Sequence, residues 1–311
     1  MMPTDTITRR SLDPRQHHLA EAVFRPSHAD RQRRGFLRLP DGTRLQLHYT
    51  DRGAGRPVVF VHAWQTGAQQ WVAHADALQH AARVITYDHR GHGRSDDSPV
   101  PATVPVLAAD LHELLIALNL SDVTLVGHSM GCAVIWAYLQ QFGDQRIAQL
   151  VLVDPSPAML IDPTWDEDTT TRAGGMFSRE QLEAVAARLT NLIGREQLIR
   201  QLVTEMAGPS SHPRQIEQAV AWGMRVSARY GAALLLDHAR RDWRSHIAAI
   251  TVPTLVVAGR TSIVPWTGSQ WIADTIAGAR LEIVEAHEGG SHLLTLLNPD
   301  HFIRLLRGFM A

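Results

Sequence analysis

Hydrophobic and polar positions fall into two regimes along the chain, with the change near residue 35. Residues 1–34 are rich in Arg, His, Asp and Pro and lack periodic apolar positions, which predicts a loosely packed N-terminal extension. Beyond it, Phe36-Leu37-Arg38-Leu39 and Arg44-Leu45-Gln46-Leu47-His48-Tyr49 alternate on either side of a Pro40-Asp41-Gly42 turn, the pattern of a hairpin. Short apolar runs at 57–62, 83–88, 123–127 and 150–153 are the kind of strand that is buried on both faces of a parallel sheet. Helical spacing fills 69–82, 110–120 and 132–142 between them. The alternation then stops. From 156 to 245 the chain reads as helical, with Trp165, Met176, Phe177, Met206, Trp222, Met224, Tyr230 and Trp243 scattered through it. Strands return at 254–258 and 280–284, and a last helix begins near Pro299. The pattern predicts an α/β class: a doubly wound, mostly parallel sheet built from 35–155 and 246–311, interrupted by a helical insertion at 156–245.

Composition narrows the possible roles. The 311 residues carry 30 Lys+Arg against 31 Asp+Glu, a formal net charge of -1, so no global basic field attracts nucleic acid or anionic lipid. The cluster Arg31, Arg33, Arg34 reads as a solvated charge run. A single cysteine, Cys132, excludes an intramolecular disulfide and a multi-thiolate metal site. Thr8-Arg9-Arg10-Ser11-Leu12 is followed by polar residues instead of an apolar signal segment, and no run of about 18 apolar residues occurs. The expectation is a soluble, cytoplasmic protein whose partner is a small molecule, with neither nucleic acid nor membrane. Oligomeric state is not encoded legibly. Without an H-E-x-x-H pair, a cysteine cluster or a Walker-type loop, no metal and no cofactor is expected.

The most specific motif is Gly127-His128-Ser129-Met130-Gly131, a G-x-S-x-G between an expected strand and an expected helix. A tight strand-to-helix turn has no room for side chains at 127 and 131. It lifts the Ser129 hydroxyl clear of the sheet edge, above a helix N-terminus that stabilises developing negative charge. A serine hydroxyl is a weak nucleophile near neutral pH, so it requires a general base and a third group that orients the base. With 17 histidines in the chain, residue type alone does not pick the base.

With this elbow the chain resembles the α/β-hydrolase superfamily over residue 36 to the C-terminus. It also has Val61-His62-Ala63-Trp64 where that family has a His-Gly-x turn, Asp88-His89-Arg90-Gly91-His92-Gly93-Arg94-Ser95 resembling the family's D-x-R-G-x-G-x-S loop, and Gly289-Gly290-Ser291-His292 near its end. The resemblance implies that 156–245 is a cap and that Ser129 is the nucleophile. It implies His292 as the base in preference to His287, and an oxyanion hole formed by the backbone N–H groups of Trp64 and Met130. Ala63 departs from the family's glycine, which requires that residue 63 not need a positive φ. His62 is expected to be structural. Trp64, His128, Trp165 and Trp222 are candidates for the substrate pocket.

The acid is less direct. The family's usual position falls in Gly259-Arg260-Thr261-Ser262-Ile263-Val264-Pro265, where Ser262 stands in place of Asp and cannot carry the charge that stabilises a histidinium. Asp154, at the end of the strand after the elbow helix, lies on the same sheet edge and is the expected substitute, ahead of Glu285, Glu288 and Asp237. Asp88 and Arg90 are expected to scaffold their loop, Asp110 to cap a helix and Cys132 to fill the core.

The resulting expectation is a serine hydrolase with a Ser-His-acid triad. It would cleave an ester, lactone or similar bond of a small, mainly apolar carbonyl compound through an acyl-enzyme. The Asp154–His292 pair also resembles that of cofactor-free dioxygenases of this fold, a second reading. Perhydrolase or haloperoxidase-like side activity and a low-turnover, receptor-like role are further alternatives.

Overall fold

Alternation along the apolar strands decides how the sheet is covered. In the computed structural model, which describes residues 22–23, 32–42, 45–98, 101–209 and 211–311, Val58 and Phe60 pack on one face while Val59 and Val61 pack on the other. Both faces are therefore buried. The strands are β1 (Ala22–Val23), β2 (Gln32–Arg38), β3 (Gln46–Gly53), β4 (Pro57–Val61), β5 (Arg83–Tyr87), β6 (Val123–His128), β7 (Ile147–Val153), β8 (Thr254–Gly259) and β9 (Arg280–Val284). They form one sheet in the order β1-β2-β3-β5-β4-β6-β7-β8-β9. The pairings up to β3–β5 are antiparallel and those from β5–β4 to β8–β9 are parallel.

The helices Val104–Ala117 and Met130–Phe142 cover one face, and Val72–Leu78 and Pro299–Met310 cover the other. The chain winds outward from β4 in one direction through β5 and in the other through β6. The crevice at this switch point opens at the C-terminal ends of β4 and β6, where ligands bind in open α/β sheets. Those two ends carry the His62–Trp64 turn and Ser129.

Between β7 and β8 lie the helices Glu167–Ala173, Arg179–Thr190, Arg195–Ala207, Pro213–Arg225 and Ala228–Ala239, with an apolar cluster of their own that includes Leu182, Leu189, Leu198, Ile199 and Trp222. No helix among the described residues is long and apolar enough to cross a membrane.

Three details depart from the sequence expectations. The extension expected at 1–34 falls largely outside the described residues, but residues 22–23 and 32–34 of it are strand and belong to the sheet. Asp110 is not a cap. The helix starts six residues earlier, at Val104, and Asp110 is a buried interior residue that receives Arg90 Nε at 2.6 Å and Nη2 at 2.5 Å. The helix Trp266–Thr275, which carries the chain from β8 to β9, was not expected: Gly268 and Ser269 interrupt its apolar pattern, and both are buried there.

Candidate active site

Local strain marks the elbow. Ser129 has φ 54° and ψ -117°, its amide donates to Val153 O at 2.9 Å, and the helix begins at Met130. A Cβ on Gly131 would lie 2.3 Å from Val61 O, and one on Gly127 would lie 2.7 Å from Ile135 Cδ1. Backbone, not a flexible side chain, stands in the way at 131. Gly131→Ala is therefore expected to lower stability by about 3 kcal/mol and to displace the nucleophile. Thermal melting together with an ester assay measures both, and a variant as stable and active as the parent would contradict the packing account.

Asp154 ends β7 in the left-handed region, with φ 49°. Its amide donates to Val257 O at 2.7 Å, which ties it to the end of β8. The carboxylate is 1% exposed and fully engaged. Oδ1 accepts from Gly259 N at 3.0 Å, and Oδ2 accepts from His292 Nδ1 at 2.5 Å and from the Ser262 hydroxyl. With Nδ1–H given to Asp154, Nε2 is the imidazole nitrogen left to accept a proton. The other carboxylates are occupied elsewhere: Glu285 pairs with Arg260 at 2.9 Å, Glu288 faces His301, and Asp237 holds Arg241 and the Val104 amide. His287 is exposed in a 3-10 turn.

Behind His292 stands His128. Its Nε2–H donates to the backbone O of His292 at 2.8 Å, and its Nδ1 accepts from Gln70 Nε2 at 2.6 Å. Burial first, and the neighbouring His292 second, hold its pKa down to about 3, which keeps it in this neutral tautomer. Gln70 also donates to Thr295 Oγ1 and accepts from Thr66 Oγ1, so one amide side chain links the His62 turn, the elbow and the His292 loop. Sequence reading missed Gln70, because a lone glutamine on a helical stretch carries no motif.

Ser129, Asp154 and His292 line one cavity under the helical insertion, which leaves about 70 Å³ for the centre of a water molecule. Its wall is mostly hydrocarbon, from Met159, Met176, Phe177, Leu202, Met206 and Leu235. Trp64 lines it as expected, with its indole N–H donating to Gly231 O at 2.9 Å. The other three pocket candidates do not. His128 sits behind His292, Trp222 packs in the core of the insertion, and Trp165 lies in a separate depression with Arg244 stacked 4.5 Å over its ring. Periodicity identifies apolar residues without saying which side of a helix faces a cavity. His238, a cavity residue, was missed for the same reason.

His62, Ala63, Asp88 and Cys132 do not line this cavity. Among the described non-glycine residues φ is positive only at Gln65, Asn119, Asp122, Ser129 and Asp154, so Ala63 is not strained. His62 Nδ1–H donates to Ala63 O at 2.8 Å while Nε2 accepts from His89 N. Burial opposes the charge on Asp88, yet His48 and the Ala68 and Arg94 amides hold its pKa below the usual carboxylate value. Cys132 is wholly buried with its thiol pKa raised by burial, a core residue and not a nucleophile.

Six histidines here are buried and neutral: His62, His74, His89, His92, His128 and His238. Burial is the leading cause in each and lowers every one of them, to about 3 at His74 and about 4 at His92 and His238. The unfolded chain takes up these protons first, near pH 6.5. Stability is therefore complete above that value and falls through the window from about 6.5 to 4, by about 1.4 kcal/mol per pH unit for each group. Unfolding midpoints measured from pH 7.5 to 5 are expected to drop steeply below 6.5; a flat profile would contradict neutral burial.

A strained serine stands at the switch point of a doubly wound sheet, with an aspartate–histidine pair on the same cavity, the geometry expected of an α/β hydrolase. The chain belongs to the alpha/beta hydrolase fold family, whose model matches residues 56–296. Among its relatives, a non-heme chloroperoxidase of Streptomyces lividans is 35% identical over 282 residues, covering 86% of this chain and 97% of the relative. A bromoperoxidase from Bacillus anthracis superposes with a TM-score of 0.80 at 24% identity, over 89% of this chain and 99% of that one. A thermophilic esterase from Thermogutta terrifontis does so with a TM-score of 0.76 at 26% identity, over 89% and 98%.

Proposed function

We propose that the protein is a serine hydrolase cleaving an ester, lactone or similar bond of a small, mainly apolar carbonyl compound. The observation that carries this reading is the His292 Nδ1–Asp154 Oδ2 contact of 2.5 Å on the cavity that Ser129 lines. Ser129 Oγ attacks the carbonyl carbon as His292 Nε2 takes its proton. That proton passes to the departing alcohol when the bond to the leaving group breaks. Water then attacks the acyl-enzyme, gives a proton to His292 and frees the acid and the serine.

The negative charge on the tetrahedral oxygen would be met by the N–H of Met130, in the first helical turn where amides lack intrahelical acceptors, and by that of Trp64. The apolar wall supports a neutral substrate, and the esterase name of the Thermogutta terrifontis protein agrees with acyl chemistry of this type. The chloroperoxidase name of the Streptomyces lividans relative favours one second reading, in which hydrogen peroxide replaces water and the acyl-enzyme yields a peracid.

A fluorophosphonate probe is expected to label Ser129, with short-chain aryl esters hydrolysed at a rate that the label abolishes. Failure of both would overturn the proposal. Oxygen uptake with a hydroxy-heteroaromatic substrate that survives Ser129→Ala would instead favour a cofactor-free dioxygenase. Labelling without turnover would favour a receptor-like role.

A further inference from the structure

Polar groups on the cavity wall are accounted for, with one exception. Ser129, Asp154 and His292 belong to the reacting set. Ser156 Oγ donates to Gly174 O at 2.7 Å, the Trp64 indole is bonded to Gly231, and Glu205 is exposed and accepts from Gln201. His238 is the exception. It lies on the helix Ala228–Ala239, is 5% exposed, lines the cavity, and its Nδ1 has no hydrogen-bond partner. Asp237 next to it is committed to Arg241 and Val104. Nδ1 itself is enclosed, and Nε2, which bonds to no described residue and is the ring nitrogen left accessible, is the atom a ligand in the cavity can meet.

We propose that His238 is a specificity-determining residue that hydrogen-bonds a neutral oxygen function, a ketone or hydroxyl, carried by the substrate beside the bond that is cleaved. This deepens the hydrolase reading and rests on it. The imidazole is neutral, its pKa held down to about 4 by burial first, so it offers one N–H donor and one bare nitrogen acceptor. Such a group matches a carbonyl or a hydroxyl and gives no charge to a carboxylate or phosphate. Because His238 lines the same cavity as Ser129 and lies close enough to His292 for their charges to interact, the oxygen it meets belongs to the part of the substrate near the reacting carbonyl. A site built to hydrogen-bond a substrate oxygen discriminates strongly against the analogue that lacks it, since the protein group is then buried unpaired.

The test compares methyl hexanoate with methyl 3-oxohexanoate and methyl 3-hydroxyhexanoate in a pH-stat. The parent enzyme is expected to favour at least one oxygenated ester in kcat/KM by about 10- to 100-fold. His238→Phe, checked for folding by circular dichroism, should bring that ratio close to one, and His238→Gln should keep part of it. A parent ratio near one, or a ratio unchanged by His238→Phe, overturns the proposal. Calorimetric binding of the same esters to Ser129→Ala, with and without His238→Phe, separates the two readings. Preferential binding lost with His238, in a protein that turns over none of the esters, sinks the hydrolase and upholds the site. Turnover without preference upholds the hydrolase and sinks the site.

Discussion

Replacing Ser129 with alanine is expected to lower kcat/KM for a short-chain aryl ester by about 10⁴- to 10⁶-fold while leaving KM within a few-fold. The size follows from what is removed. Covalent catalysis splits one difficult displacement into two easier ones, and no neighbouring group can take over the attack: Cys132, three residues along, is buried with its Sγ 3.2 Å from Gly127 O and its thiol held protonated. What survives in the variant is binding and oxyanion stabilisation. The substitution deletes one hydroxyl oxygen from a half-buried position and leaves the strained backbone as it is, so the melting point should hardly move. Steady-state kinetics and an unfolding curve on the same preparation check both halves. Retained hydrolysis in the folded variant would remove Ser129 from the chemistry and with it the acyl-enzyme.

Much of the fold, and the places of the candidate site residues along it, are legible in the sequence, for physical reasons that differ from residue to residue. The strands were readable because a parallel sheet buried on both faces leaves unbroken apolar runs, as at Pro57–Val61 and Val123–His128. The elbow was readable because its two glycines answer to a steric demand that the backbone imposes, visible as the 2.3 Å approach to Val61 O. Asp154 was legible only through a vacancy, since Ser262 occupies the family's usual acid position.

Other residues were not readable because their roles are tertiary. Trp165 and Trp222 share the composition of Met176 and Phe177, and only the packing of the inserted helices sends the latter pair to the cavity and the former pair away. Asp110 was misplaced by an error in the helix start, because Val104-Pro105-Val106 reads as a loop until the helix is seen to accept proline in its first turn. His238 is one of 17 histidines, and nothing in its neighbours along the chain says that it lines the cavity.

Ser262, at the position where the resemblance would place the acid, is joined to Asp154. Its hydroxyl donates to the same Asp154 oxygen that receives His292, and it accepts from Val264 N at 3.0 Å, so it helps orient that carboxylate. The two candidate acid positions meet at Asp154 Oδ2. A carboxylate placed at 262 would therefore stand within reach of the histidine.

That proximity shapes the second large effect. Asp154→Asn is expected to lower kcat by about 10⁴-fold, about 5.5 kcal/mol of transition-state stabilisation, with little change in KM. The amide is the same shape as the carboxylate, so Gly259 N can still be satisfied. An asparagine N–H facing His292 Nδ1, however, selects the tautomer protonated on Nε2, which cannot accept the serine's proton, and no charge remains to stabilise the histidinium. Adding Ser262→Asp to this variant should recover activity by about 100-fold, because the charge returns beside the base. The same Ser262→Asp change in the parent should do harm instead. Two buried carboxylates would then contend for one histidine, one of them would have to bind a proton, and both stability and rate would fall. Kinetics and melting of the two single variants and the double variant measure this sign reversal. Full activity in a folded Asp154→Asn protein would assign the acid elsewhere, and a double variant no faster than Asp154→Asn would show that position 262 no longer reaches the base.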